Sequence, residues 1–254
     1  MTATPRSLAR ARAELARNGL MLEQDRERPS LVSLIAGAPV TGSWWGHAKG
    51  QEIFAVLTAL SDDPDVVIAK LIDGKVTLIA KALWPAVVAV ATANEPWQLA
   101  GLSQTARTLL EQVRAEGPLS TDQLARDTPG RRKLAAAARE LEQRLLVRSE
   151  QVHTEHGAHA RVLDTWERWA EARKLTRKLP ALEDAKAQLE QATRDLGAEP
   201  HTLPWRPTDP RTPDSGLRTS VSASPKAGLP SKARGRAGSG TRRPAAAAAR
   251  RSRA

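Results

Sequence analysis

The chain opens with apolar residues at helical spacing. Between residues 5 and 20 they recur every three or four positions after a Thr-Pro pair, which predicts an amphipathic helix with proline in its first turn. A short helix is predicted from Ser30 to Gly37, and an apolar face at 50–60 predicts another. The first sixty residues therefore favour helices, joined by a tight aromatic loop at 42–47.

An alternating pattern rich in β-branched residues follows. Two such runs, 66–72 and 75–80, flank the pair Asp73-Gly74. Asp-Gly between two alternating runs is typical of a type I′ turn, so the sequence predicts a β-hairpin here. A further helix is predicted to open at Leu83-Trp84-Pro85.

The second half of the sequence has the order of elements of a winged helix. A helix capped by Ser103 comes first, followed by a short helix at 122–125 and a longer one at 131–144. Two alternating runs, 147–154 and 158–163, then predict a hairpin. Helix, short helix, turn, longer helix and hairpin together form a winged helix-turn-helix.

The predicted fold class is α+β and mostly helical. It combines a winged helix-turn-helix with an N-terminal helical unit containing a β-hairpin, plus a disordered C-terminal tail. The predicted divisions are an N-terminal helix at 1–27, a helical unit with the hairpin at 28–98, the winged helix at 99–173, a helix at 174–197 and a disordered basic tail at 198–254.

Charge is distributed very unevenly along the 254 residues. The net charge is +11, yet the segment from Trp205 onward holds twelve Lys or Arg residues against two Asp. The remainder is therefore close to neutral. The tail is rich in Pro, Gly, Ser and Ala, and such a segment cannot bury enough apolar surface to offset its ordering entropy.

DNA is the partner that these charges favour. A cationic tail binds phosphates with sequence-independent, salt-sensitive affinity, although a solvated linker, acidic proteins and lipid headgroups stay open as alternatives. The helix at 131–144 would be the one that enters the major groove, although Glu140 and Glu142 weaken its positive face. The predicted DNA-binding residues are Arg131, Arg132, Lys133, Arg139, Lys232, Arg234, Arg236, Arg242, Arg243, Arg250, Arg251 and Arg253.

Other kinds of chemistry find little support. The absence of Cys excludes disulfides, thiolate metal sites and cysteine catalysis. The residues His153, Glu155, His156 and His159 are of metal-ligand types, but a hairpin turn would bring them together without a metal. No glycine-rich phosphate loop or nucleophile elbow is present. The sequence therefore predicts no metal, no cofactor, no catalytic residue and no small-molecule substrate.

The tryptophans allow two interpretations. Trp44-Trp45 could stack on bases, as aromatic residues do in single-strand binding, or could anchor a small core, which their apolar surface favours. Trp166 and Trp169 have the spacing of one buried helix face. No apolar run reaches the roughly 18 residues needed to span a bilayer, and the first twenty residues lack the apolar core of a secretory signal. A cytoplasmic protein without a membrane partner is expected.

Several motifs together resemble a known group of proteins. They are Gly42-Ser-Trp-Trp-Gly-His47, Gly74-Lys-Val-Thr77 leading to Leu83-Trp-Pro85, Pro96-Trp-Gln-Leu-Ala-Gly-Leu102, and His153-Thr154 with Gly157-Ala-His159 leading to Trp166. Over about residues 28–173 the chain resembles small bacterial winged-helix proteins related to AlkZ-type crosslink-repair DNA glycosylases. The resemblance implies a protein that acts on DNA, in repair or nucleoid association.

The resemblance does not carry over a catalytic residue. The glycosylases use paired glutamines in a Gln-x-Gln motif, whereas Gln98, Gln104, Gln112 and Gln123 are isolated here. A non-catalytic DNA-binding relative is therefore the leading hypothesis. A minimal glycosylase that flips a base into a pocket near Trp44 and His47 is the second, and a protein-interaction module with a solubilising tail is the third.

Overall fold

A computed structural model describes residues 4–120, 131–153 and 159–206 of the chain. For residues 131, 151–153 and 159–160 the description concerns the backbone alone. The short helix predicted at 122–125, the residues Glu155 and His156, and the chain from residue 207 onward lie outside these ranges. None of the described helices is long and apolar enough to cross a membrane.

The fold class is α+β with helices predominating, as predicted. The helices are α1 Pro5–Asn18, α2 Leu31–Ala36, α3 Gly50–Ser61, α4 Trp84–Ala91, α5 Pro96–Leu99, α6 Gln104–Glu116, α7 Arg131–Gln143, α8 Trp166–Ala172 and α9 Leu182–Asp195. The strands are β1 Leu20–Leu22, β2 Val66–Lys70, β3 Val76–Ala80, β4 Leu119–Ser120, β5 Arg148–His153 and β6 His159–Asp164. Single 3-10 turns lie at Trp44–Gly46, Lys81–Leu83 and Pro200–Thr202.

Local capping explains where the helices begin and end. The Ser30 hydroxyl accepts a hydrogen bond from the Ser33 N–H at 3.2 Å, and Gly37 ends α2 in the left-handed region at φ 92°. Ser103 caps α6 in the same way, through the Ala106 N–H. These starts and stops confirm the helix boundaries that the sequence predicts.

The hairpin β2–β3 forms as predicted, but with one extra residue. Asp73 and Gly74 both have positive φ (51° and 63°), as a type I′ turn requires. The strands pair Lys70 with Val76, one residue out of the register that a two-residue loop alone would give. The extra residue lies on the β2 side and interrupts the strict alternation of the strand. The side chains of the consecutive residues 71 and 72 are therefore both buried.

The first sheet has a third strand that the sequence pattern does not predict. Its order is β1-β3-β2, with all neighbours antiparallel. The three residues of β1 are all buried, so the strand lacks the alternation by which half-buried strands are recognised. Because β1 and β2 flank β3, strand β2 is an edge of this sheet.

The second sheet has the order β4-β6-β5 and is also antiparallel. The two-residue strand β4 lies between α6 and α7 in sequence and pairs with β6. The succession α6, β4, α7, β5 and β6 is compatible with the predicted winged helix. Residues 121–130, where its second helix is predicted, lie outside the described part of the chain.

Buried side chains form three clusters. One lies between helices α1 to α3 and a face of the first sheet, and another lies between α6, α7 and the second sheet. The third joins α4, α8 and α9, where Trp169 packs edge-on against Trp84 (4.9 Å between centroids) and Trp166 (5.6 Å). The Trp166/Trp169 pair thus occupies a core face, as predicted.

The packed chain continues beyond residue 198, where the sequence predicts that the tail begins. The Leu203 side chain is 1 % exposed and lies in the same cluster as Trp84. The Arg206 guanidinium donates to both oxygens of the Glu190 carboxylate, at 2.8 and 2.7 Å. Residues 198–206 therefore belong to the fold, because a few apolar groups within a polar, Pro-containing stretch fill a core position.

Candidate functional site

Helix α7 presents a cationic face opposite its packed face. Ala138 and Leu141 are buried against α6, at the spacing of a single helix face. Arg132, Lys133 and Arg139 are exposed. No ion pair or hydrogen bond joins their side chains to another residue of the described chain. The Arg131 side chain is not described, so its predicted role stays a prediction.

The two carboxylates that weaken this helix in the sequence are engaged by residues of other elements. Glu140 accepts hydrogen bonds from the Ser103 N–H (3.1 Å) and hydroxyl (2.8 Å), which ties α7 to the start of α6. The Glu142 side chain is 4 % exposed and pairs with Lys70. The exposed face of α7 is therefore more positive than its sequence suggests.

The basic residues predicted to contact DNA from the tail fall outside the described residues. They are Lys232, Arg234, Arg236, Arg242, Arg243, Arg250, Arg251 and Arg253.

A cleft lies at the C-terminal end of α7, between α3 and the edge strand β2 on one side and strand β5 on the other. Its volume is about 190 Å³. Apolar side chains line it together with a ring of polar and charged groups. Its lining includes Glu23, Phe54, Leu57, Ile68, Lys70, Glu142, Arg148 and Arg161.

Three charged side chains form a group of ion pairs in the wall of the cleft at the end of α7. Lys70 Nζ lies 2.9 Å from Glu142 Oε2, and the Arg161 guanidinium lies 3.5 Å from the same oxygen. The other oxygen of Glu142 is buried and has no hydrogen-bond partner among the described residues. Glu142 is thus shielded from solvent and tied to Lys70 of β2. We therefore assign it a structural role, in which it fixes α7 against the first sheet.

A row of aromatic rings leads from the surface to the cleft. The Trp45 indole is 63 % exposed, stacks on Trp44 with centroids 4.3 Å apart, and lies 5.2 Å from the Phe54 ring. Trp44 is buried, so the predicted core role holds for Trp44 but not for Trp45. Their loop is fixed by Ser43, whose hydroxyl caps the turn.

Glu23 is the titratable group that this aromatic row brings to the cleft. Trp44 Nε1 donates to Glu23 Oε1 at 3.2 Å. Burial raises the pKa of Glu23, and the hydrogen bond from Trp44 opposes that shift only in part. A carboxyl with a raised pKa in a cleft is a common mark of a functional site. No local pattern marks Glu23 in the sequence, because it follows a strand that has no alternation.

His47, which the glycosylase hypothesis names, does not line the cleft. Its Nδ1 accepts a hydrogen bond from the Lys49 N–H at 3.1 Å, within its own loop. Trp44 and Trp45 do not line the cleft themselves, but they contact Glu23 and Phe54, which do.

A second cationic cluster follows α8. Arg173, Lys174, Arg177 and Lys178 are all exposed, and only their close spacing marks them in the sequence. Arg173 stacks on the Trp169 ring at 4.4 Å. Burial and the nearby positive charge of Arg148 lower the pKa of Arg173. A positively charged group of this kind favours the binding of an anion, because the anion would relieve the repulsion between Arg173 and Arg148.

Gln98, one of the isolated glutamines, has a structural role. It is fully buried, and its amide donates to the carbonyls of Ala91 (3.0 Å) and Arg144 (3.3 Å). Arg144 in turn donates to the carbonyls of Trp97 and Ala100. These hydrogen bonds hold α5 against the end of α7 and leave the Gln98 amide unavailable to a substrate.

Comparison with known proteins identifies a protein family. Neither the curated proteins nor the solved structures contain a significant match to the chain. The profile of the family described as AlkZ related matches residues 10–202, which include both sheets, α7 and the cleft. Because this match spans well over half of the chain, the protein belongs to the AlkZ-related family.

Proposed function

We propose that this protein binds DNA, with the exposed face of α7 in the major groove and the cationic tail along the phosphate backbone. The observation that carries the proposal is the cationic face of α7. Arg132, Lys133 and Arg139 lack partners in the described chain, while Glu140 and Glu142 of the same helix are engaged by Ser103 and Lys70 of other elements. Unpaired Arg and Lys side chains on one helix face suit phosphates and base edges.

The dimensions of α7 suit this role. Arg132 and Arg139 are two turns apart, so a rise of 1.5 Å per residue separates them by about 10 Å along the helix. That distance corresponds to about three base-pair steps of 3.4 Å. In the winged helix that we propose for residues 99–173, the N-terminal half of this helix contacts the bases. Membership in a family related to DNA-repair glycosylases supports the same partner.

We further propose that binding is non-catalytic. The sequence has no Gln-x-Gln motif, and the buried Gln98 amide is already engaged. Such a protein would act in the bacterial cytoplasm, in DNA repair or on the nucleoid. Release of a free base from lesion-bearing DNA would overturn the non-catalytic part and leave the binding part standing.

The test is duplex-DNA affinity as a function of salt concentration. Residues Met1–Thr212 form a compact unit, so a chain that ends at Thr212 removes the tail without cutting into the fold. We expect the truncated chain to bind more weakly, with a smaller salt slope, because each phosphate contact contributes about one unit of slope. Arg132→Ala with Arg139→Ala, introduced into the truncated chain, should lower the remaining affinity at least about tenfold.

The matched control is Arg6→Ala with Arg26→Ala, which removes two exposed arginines from the N-terminal region. It should change affinity far less than the α7 double substitution. If the truncated chain binds no DNA at any salt concentration, the tail is a generic anchor and a protein becomes the expected partner of the folded part. If the full chain also fails to bind, the proposed function is wrong.

A further inference from the structure

The cleft carries a more specific inference, which rests on the proposed function. Its wall includes the last turn of α7, whose 13 residues span about 20 Å, or about six base-pair steps. DNA bound along α7 would therefore run toward the cleft. No residue of the cleft figures among the predicted DNA contacts.

The aromatic row at the cleft needs an explanation beyond stability. An indole that is 63 % exposed leaves apolar surface in water, which costs about 25 cal/mol per Å² relative to burial. Trp45 is nevertheless held in place by stacking on Trp44 and by its contact with Phe54. Fixed, exposed aromatic rings are the surfaces on which unstacked bases pack.

The chemistry inside the cleft suits a flat ring with a polar edge. Leu57 and Ile68 provide apolar walls beside the Phe54 ring, and Glu23 provides a carboxyl group. Arg148 and Arg161 add positive charge at the same cleft. A nucleotide has a base with apolar faces and a hydrogen-bonding edge, together with a phosphate, and thus complements each of these features.

The volume limits what can enter. About 190 Å³ is slightly more than the volume of about 150 Å³ of an apolar cavity that binds one benzene ring. A single base fits such a space, whereas a base pair or a helix of nucleic acid does not.

We propose that the cleft accepts one unpaired base of a bound DNA strand, packed against Trp45 and Phe54 with its polar edge toward Glu23. The bound duplex is held by α7, and the base reaches the cleft from an unpaired position. Burial raises the pKa of Glu23, so this carboxyl group keeps its proton to a higher pH than an exposed Glu does. Binding forms no covalent bond.

The experiment measures the affinity of the full chain for three labelled duplexes of one sequence. The first is fully paired, the second carries one unpaired base at its centre, and the third carries an abasic residue at that position. The third probe has the same backbone disruption as the second but lacks the base. Stacking of one base on an aromatic side chain is worth about 1–3 kcal/mol, so the second duplex should bind at least about fivefold more tightly than the third.

Two substitutions assign the preference to the cleft. Trp45→Leu keeps an apolar side chain but removes the stacking surface, and Glu23→Met keeps a side chain of similar length but removes both oxygens that could bond to the base. Each should reduce the preference for the unpaired base to less than about twofold while leaving the affinity for the paired duplex unchanged. Leu99→Ala and Glu111→Gln, at exposed positions outside the cleft, should preserve the preference.

The outcomes separate this inference from the proposed function. Equal affinity for the unpaired-base and abasic duplexes overturns the cleft proposal and leaves DNA binding intact. A preference that survives both Trp45→Leu and Glu23→Met also overturns it. Failure to bind any of the three duplexes overturns the proposed function itself. Thermal unfolding of each variant confirms that a lost preference is not a lost fold.

Discussion

Lys70 Nζ lies 2.9 Å from Glu142 Oε2, and this ion pair joins the edge strand of the first sheet to the last turn of α7. The two side chains are 16 % and 4 % exposed, so little water screens the pair. Arg161 approaches the same oxygen from β6. The helix proposed to read DNA is thereby fixed relative to the cleft by three charged groups from three elements.

Lys70→Met should destabilise the protein strongly. It leaves the buried Glu142 carboxylate with Arg161 as its remaining charged partner, and breaking a buried pair from one side costs about 3–5 kcal/mol. Urea unfolding measures this change. Lys81→Met is the matched control, because Lys81 and Asp65 form an exposed pair worth less than about 1 kcal/mol. Similar losses for the two variants would contradict the role assigned to Lys70.

Leu203→Ala should also lower the free energy of unfolding, by about 2–4 kcal/mol, since Leu203 is fully buried in the cluster around Trp84. Removal of the chain beyond Thr212 should leave that free energy unchanged. The same urea titration measures both. If Leu203→Ala has no effect, residues 198–206 belong to the tail, as the sequence predicts.

Patterning predicted most of the helices, the Asp73-Gly74 turn and the β5–β6 hairpin, because caps, turn residues and periodicity are local signals. It missed β1 and β4, which are too short to show a period and are defined by their partner strands. These strands decide which strand lies at a sheet edge, and hence where the cleft forms.

The sequence named part of the candidate site and could not have named the rest. The basic residues of α7 are visible as a cluster in the sequence. The partners of Glu140 and Glu142 are Ser103 and Lys70, which are 37 and 72 positions away from them. Glu23 becomes notable only because folding buries it beside Trp44. Such properties arise from long-range packing, which no local pattern records.

The cationic cluster after α8 yields a separate prediction. Arg177→Ala with Lys178→Ala should reduce the salt slope of DNA binding by about two units if both side chains contact phosphates. Neither substitution touches the stacking of Arg173 on Trp169, so the fold should be unaffected. The Arg6→Ala and Arg26→Ala pair again serves as control. An unchanged slope would exclude this loop from the DNA interface.

Glu23→Gln should make the protein more stable at neutral pH. Burial raises the pKa of Glu23 in the folded state, so the folded protein retains this proton to a higher pH than the unfolded chain. The stabilising contribution of the protonated group is complete below the unfolded pKa and is lost as pH rises through the folded pKa. Glutamine does not ionise and still accepts a hydrogen bond from Trp44, so it avoids this loss.

The gain from Glu23→Gln should therefore be small below about pH 4, increase as pH rises, and level off above the folded pKa. Unfolding free energies from urea titrations at several pH values measure it. Glu111→Gln, at an exposed position on α6, should show a nearly constant difference from the parent protein over the same range. A constant difference for Glu23→Gln as well would mean that Glu23 is solvated and that burial does not raise its pKa.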